Sequence, residues 1–208
     1  ALQKLVSKAL KDHRRIIFDG NGYSEEWKQE AARRGLSNLS STAEAMRAYL
    51  SQKNIDLVTR HGVFTETEFR ARHAIYLDDY RKKINIEART MIEMSNKQII
   101  PAVMDYEGKL AIEAKNISLI GVEPTAQKEL IAAIDAKLLE LKSATAKFTE
   151  IVDKAADYED DVAAWAKYFH DEVFLSMGTV REPADALELL VAKEAWPFPT
   201  YGDLLFEQ

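Results

Sequence analysis

The sequence contains no cysteine and few residues that interrupt helices. Its 208 residues include 5 Pro and 8 Gly, concentrated in a few places. The absence of cysteine excludes a disulfide framework, a thiolate metal site and a thiol nucleophile, and it suits a cytoplasmic protein. Because Pro and Gly are scarce, we expect long helices between the positions where they occur.

An excess of basic residues and a membrane-spanning segment are also missing. Lys and Arg number 28 against 34 Asp and Glu, so the formal net charge is −6, and the charges are spread along the chain. This balance argues against a nucleic-acid partner. No apolar segment is long enough to cross a bilayer, and none is typical of a signal peptide. We therefore expect no membrane partner and a cytoplasmic location.

The sequence does contain strong helical periodicity. Apolar residues recur at helical spacing across 69–99 and 130–152, with charged residues on the other side. No recognisable strand pattern longer than "RRIIF" occurs. The sequence predicts an all-α fold in which short helices are followed by an antiparallel bundle of long helices.

Local signals predict where several helices begin and end. The patterns Ser41-x-x-Glu44 and Thr65-x-x-Glu68 are typical of capping boxes, which begin helices. Gly35 and Gly62 are typical of the glycines that follow a helix. These signals predict short helices before residue 62 and one much longer helix after Thr65.

Proline and glycine predict further breaks in the second half. Pro101 should kink the long helix or end it just before the proline. Gly178 is expected to end a helix, and Pro183 to open the next one at its first position. The two prolines in "WPFPTYGDLLF" predict an extended, aromatic tail over 195–208. Such a tail must lie in a groove, either on its own bundle or on a neighbouring subunit.

The stretch "IIFDGNGYSEEW", residues 16–27, could suggest a ligand loop because it has two glycines, an acid and an amide. It lacks the lysine of a phosphate-binding P-loop and the third glycine of a dinucleotide loop, and it has too few oxygen ligands for calcium. We interpret it as a turn before a helix capped by Ser24. Phe18, Tyr23 and Trp27 are expected to fix the turn to the core.

The histidines and acidic clusters do not form a recognisable catalytic or metal motif. His13, His61, His73 and His170 lie far apart and lack the spacing of zinc or di-iron sites. His73 lies on an apolar stripe and is expected to be packed. The acidic pair Asp78-Asp79 and "DYEDD", residues 157–161, are expected to be solvated turns between helices. We therefore predict no catalytic, cofactor-binding or metal residue in this chain.

Three stretches together resemble one enzyme family. They are "KDHRRIIFDGNGYSEEWKQEAARRGLSNL" at 11–39, "HGVFTETEFRARHAIYLDDYRKKINIEARTMIEMSNKQIIPAV" at 61–103, and "WPFPTYGDLLF" at 196–206. They resemble the C-terminal part of type III glutamine synthetases. The piece "GVFTETEFRARHAIYLDDY" is also similar to a segment near the C-terminus of ordinary bacterial glutamine synthetases. The resemblance implies that 1–90 are the closing helices of the catalytic domain and 91–208 a type III extension, with its tail at 195–208.

The family resemblance implies an enzyme whose chemistry lies upstream of this chain. Such enzymes condense glutamate and ammonia at the expense of ATP, through γ-glutamyl phosphate, with Mg or Mn ions, in a homododecamer of two stacked rings. Their ligand-binding motifs belong to catalytic strands and none occurs in this sequence, so no residue is carried over. The chain alone is expected to be neither catalytic nor able to bind ATP or glutamate. The alternative is a free-standing helical protein-interaction module without enzymatic activity.

Overall fold

The computed structural model describes residues 1–17, 19–158, 160–199 and 201–206, and all regular secondary structure in these ranges is helical. The α-helices are α1 (Leu2–Asp12), α2 (Glu25–Arg33), α3 (Thr42–Tyr49), α4 (Gln52–Arg60), α5 (Glu66–Met94), α6 (Ile100–Leu119), α7 (Thr125–Lys154), α8 (Val162–Tyr168), α9 (Leu175–Leu190) and α10 (Tyr201–Phe206). The all-α prediction is confirmed. The chain divides into two compact units, Ala1–Ser40 and Ser41–Gln208.

The first unit consists of α1, a short 3-10 turn at Arg14–Ile16, a loop and α2. The side chain of Ser24 accepts a hydrogen bond from the backbone N–H of Trp27 at 3.2 Å, as predicted for the cap of α2. Gly35 follows α2 with a φ of 72°, which favours glycine because a Cβ is strained there. The local signals at both ends of α2 are therefore confirmed.

The second unit begins with two short helices and a capped long one. Ser41 accepts a hydrogen bond from the backbone N–H of Glu44 at 3.2 Å. At the start of α5 the capping box is complete, because Glu68 N–H donates to Thr65 Oγ1 and Thr65 N–H donates to Glu68 Oε2. Gly62, between α4 and α5, has a φ of 63°. These interactions fix the start of a helix of 29 residues.

The predicted break at Pro101 takes the form of a change in helix type. Between α5 and α6 lies a π-helical segment, Ser95–Ile99, and α6 then continues through Pro101. A proline lacks an N–H and its ring crowds the preceding turn, so a wider turn before it accommodates the ring. The helical path therefore does not end before the proline.

Two predicted breaks further along are wrong. Gly178 and Pro183 both lie inside α9, which runs on from α8 through a π-helical segment at Phe169–Phe174. Gly178 does not have a positive φ, so its backbone conformation allows the helix to continue. Pro183 is buried in α9. Burial of its apolar ring offsets part of the free-energy cost of the lost hydrogen bond, and α9 therefore continues through the proline.

The main core is formed by the long helices of the second unit. Here α7 packs against both α6 and α9. The predicted apolar stripe of α7 lies in or against this core, and the core residues with almost no exposed surface include Ala88, Val103, Ile134, Leu141, Phe148, Val152, Phe169, Val173, Val180 and Leu187. The short connection between α6 and α7 is typical of antiparallel neighbours, and the antiparallel order of the whole bundle stays a prediction.

The tail is only partly extended. Trp196 and Phe198 pack against the main core, and the segment around the two prolines is not helical. Beyond it, however, α10 forms at Tyr201–Phe206, so the prediction of an extended tail to the end is wrong for these residues. Neither proline lies within α10, so nothing local prevents a helix there. Lys193 Nζ contacts the carboxylate of Asp203 at 2.5 Å and ties α10 back to the end of α9.

Candidate functional site

The loop before α2 is a turn stabilised by its own side chains. Arg14 forms an ion pair with Asp19, and the side chain of Asn21 accepts a hydrogen bond from the backbone N–H of Tyr23 at 3.0 Å. The expectation that Tyr23 fixes this turn to the core is wrong, because its side chain is 95% exposed. Trp27 is half-buried, with the guanidinium of Arg34 5.9 Å from its ring. Phe18 lies outside the described residues.

His73 and His170 each contact one oxygen atom and one aromatic ring. The Nε2 of His73 lies 3.1 Å from the backbone oxygen of Met46, and its ring lies 5.9 Å from that of Tyr49. The prediction that His73 is packed is confirmed. The Nδ1 of His170 lies 2.7 Å from the carboxylate of Asp171. Within the described ranges, no three His, Asp or Glu side chains lie close enough together to hold a metal ion.

The acidic clusters have structural partners. Asp78 and Asp79 lie within α5 and pair with bases one turn away, so the expectation that they form a turn is wrong. The hydrogen bond from Lys82, with that from Arg81, lowers the pKa of Asp78 against the opposing effect of burial. In the second cluster, Asp161 caps α8 by accepting hydrogen bonds from two backbone N–H groups. Glu159 of that cluster lies outside the described residues.

An apolar groove lies along α1 in the first unit. It has a volume of about 940 Å³, and its apolar lining comes from Leu2, Val6, Leu10 and Ile17. The leucines and valine recur every four residues, so they form one face of the helix. All residues of α1 are described and none is buried; Leu2 is 74% exposed. We call this surface the α1 groove.

The end of the tail carries a second exposed apolar surface. Leu204, Leu205 and Phe206 of α10 are all exposed, the last at 82%. Trp196 and Phe198 therefore dock on the chain's own core, which is one of the two alternatives for the tail. The last turn does not dock there, and its contact with a neighbouring subunit stays a prediction. The sequence shows both surfaces to be apolar but does not distinguish a core face from an uncovered one.

No helix in the described ranges combines the length and the apolar composition needed to cross a membrane.

Comparison with known proteins gives a consistent result. A family model described as "Glutamine synthetase C-terminal domain" matches residues 1–118. A "Glutamine synthetase" of Butyrivibrio fibrisolvens is 35% identical over 207 residues, and the alignment covers 99% of this chain and 29% of that protein. A "Type-3 glutamine synthetase" of Dictyostelium discoideum is 29% identical, with the same two coverages.

A third relative, a "Glutamine synthetase" of Bacteroides fragilis (strain YCH46), is 32% identical over 92% of this chain and 27% of its own length. The chain thus spans less than a third of the length of these curated relatives. The family resemblance drawn from the sequence is confirmed.

Proposed function

Because this chain belongs to the glutamine synthetase C-terminal domain family, we propose that it is the C-terminal helical domain of an ATP-dependent glutamate–ammonia ligase. Its role there is packing and subunit assembly. The observation that carries this proposal is the alignment pattern. Nearly all of the chain aligns with these enzymes, and the alignment covers less than a third of each enzyme. A region of this size is one part of such an enzyme, and the rest must be supplied by other sequence.

The uncovered apolar face of α1 supports a packing role. Burying a leucine or valine side chain is worth about 1.5–3 kcal/mol relative to leaving it in water. The α1 groove presents several such side chains side by side, and contiguous exposed apolar surface of this kind is typical of an interaction site. A further part of the enzyme, or a neighbouring subunit, would gain this energy by covering the groove.

The catalytic chemistry is assigned to an upstream domain. More than two thirds of each relative lies outside the matched region, and the residues that hold glutamate, ATP and Mg or Mn are proposed to lie there. We propose the same homododecameric assembly and cytoplasmic location that the family resemblance implies. The division into catalytic helices at 1–90 and an extension at 91–208 is also a proposal; α5 passes through this boundary without interruption.

The experiment uses the full-length polypeptide that contains this chain. In it, the double substitution Val6→Asp and Leu10→Asp places two charges in the α1 groove. Burying unpaired charges is costly, so we expect loss of the assembled oligomer by light scattering and a fall in glutamine formation of about tenfold or more. The same substitutions in the 208-residue chain alone should leave its helical circular dichroism unchanged, because both side chains are exposed there.

A matched control changes the polar side of the same helix. Lys4→Asp and Lys8→Asp lie on α1 outside the apolar lining of the groove, and we expect the oligomer and the activity to persist. An unchanged oligomer in the groove variant would refute the packing role. A native gene without a catalytic domain, whose product forms no glutamine, would instead favour the free-standing interaction module.

A further inference from the structure

A small cleft lies in the second unit where α3, α5 and α8 meet. The three helices pack against one another, and the cleft between them has a volume of about 330 Å³. Its apolar lining includes Met46, Leu50 and Leu77, and its basic lining consists of Arg47, His73 and Lys167. This size is at the small end of the range for ligand sites.

The charged side chains that line the cleft are basic, although the chain as a whole is acidic. Arg47 and Lys167 are both exposed and come from different helices, and no carboxylate lines the cleft. Lys167 pairs with Asp171, which lies one turn further along the same helical path. No carboxylate in the described part of the chain lies within ion-pair distance of Arg47. The acids Glu44 and Asp161, on the same elements, do not line the cleft.

A third cation, Arg81, lies one turn beyond Leu77 on α5 and does not line the cleft. The guanidinium of Arg81 stacks 3.6 Å above the ring of Trp165. Arg81 shares the carboxylate of Asp78 with Lys82, so the two cations outnumber the one acid. The buried Nε of Arg81 and Nε1 of Trp165 find no acceptor among the described residues. This arrangement adds positive charge to α5, near the cleft.

We propose that this cleft binds a small organic carboxylate. Its apolar body would lie on Met46, Leu50 and Leu77, and its carboxylate would face Arg47 and Lys167. Arginine and lysine both bind carboxylates through charge-assisted hydrogen bonds, and the arginine fork can engage both oxygens. The ring of His73, already held by Met46, shapes one wall. The site shares no lining residue with the α1 groove and goes beyond the proposed packing role.

The first test uses a matched pair of probes on the 208-residue chain. 3-Phenylpropionate and 3-phenylpropanamide have nearly the same shape, but only the first carries a charge. We expect saturable backbone amide shifts on α3, α5 and α8 in a nuclear magnetic resonance titration, with the carboxylate binding about tenfold more tightly than the amide. Equal affinities, no saturation, or shifts centred elsewhere would each refute the site.

The second test uses matched variants. R47Q/K167Q removes both exposed cations of the cleft, whereas K115Q/K142Q removes two exposed cations elsewhere and changes the net charge equally. The cleft variant should bind 3-phenylpropionate about tenfold more weakly, and the control variant should bind it as the parent does. An equal loss in both would show a general charge effect and contradict the proposal.

A third variant checks the apolar half. A43L adds a side chain to the lining of the cleft, and we expect it to reduce binding of both probes while the circular dichroism spectrum stays that of the parent. Unchanged binding in this variant would place the probes outside the cleft.

Discussion

The two units of the chain use the same helical periodicity with different results. In the second unit, the long helices bury a continuous core whose buried residues lie between Ile84 and Val191. In the described part of the first unit, Ala31 alone is buried, and the apolar face of α1 is open. Apolar spacing therefore predicts which side of a helix is to be covered. It does not predict whether the covering element belongs to the same chain.

The largest expected effect tests this contrast directly. Phe148 is 1% exposed in α7, whereas Leu5 is 66% exposed in α1. Phe148→Ala should lower the free energy of unfolding by about 3–5 kcal/mol, because it removes transfer energy and leaves a cavity. Leu5→Ala should change it by less than about 0.5 kcal/mol. Urea unfolding followed by circular dichroism measures both, and similar losses would contradict the difference between the units.

A smaller change in the free energy of unfolding is expected when two glycines, one from each unit, are compared. Gly121, between α6 and α7, has a φ of 82°, where a side chain is strained even though nothing lies near its Cβ position. Gly121→Ala should therefore cost about 1–2 kcal/mol. Gly22, in the loop before α2, has no positive φ and open space around it. Gly22→Ala should stay within about 0.5 kcal/mol in the same urea experiment. A cost at Gly22 equal to that at Gly121 would mean that the loop is tightly constrained.

The helix boundaries predicted correctly from the sequence are those that depend on neighbouring residues. Thr65 and Glu68 cap α5 because the two side chains are three residues apart and need no distant partner. Gly35 and Gly62 have positive φ values for the same local reason. In contrast, the continuation of α9 through Pro183 depends on burial against distant residues, so a local rule gives the wrong answer there.

The candidate binding cleft could not be predicted from the sequence for a related reason. Arg47, His73 and Lys167 are separated by tens of residues and belong to no motif. Only the packing of α3, α5 and α8 brings them together. The α1 groove is easier to predict, because its apolar spacing is visible in the sequence. Only the exposure of its apolar side chains has to be read from the structure.

The smallest expected effect on stability is electrostatic and belongs to the first unit. Hydrogen bonds from Arg33 and then Arg34 lower the pKa of Glu30 at the end of α2 to about 2. Because the folded pKa lies below the ordinary value of 4.5, the interaction stabilises α2 above that value and is lost as the pH falls from there toward 2. The contribution to unfolding is small, since these side chains are on the surface and solvent screens them.

The titration of Glu30 can be measured directly, even if its effect on the free energy of unfolding is too small to measure. Carbon-detected nuclear magnetic resonance of the Glu30 carboxyl should give a midpoint well below 4.5, and Arg33→Gln with Arg34→Gln should raise it because both donors are lost. Lys28→Gln is the control, since Lys28 pairs with Glu25 and not with Glu30. An ordinary midpoint in the parent would show that the arginines do not hold Glu30 in solution. The first unit would then lack this surface network, in addition to having only Ala31 buried among its described residues.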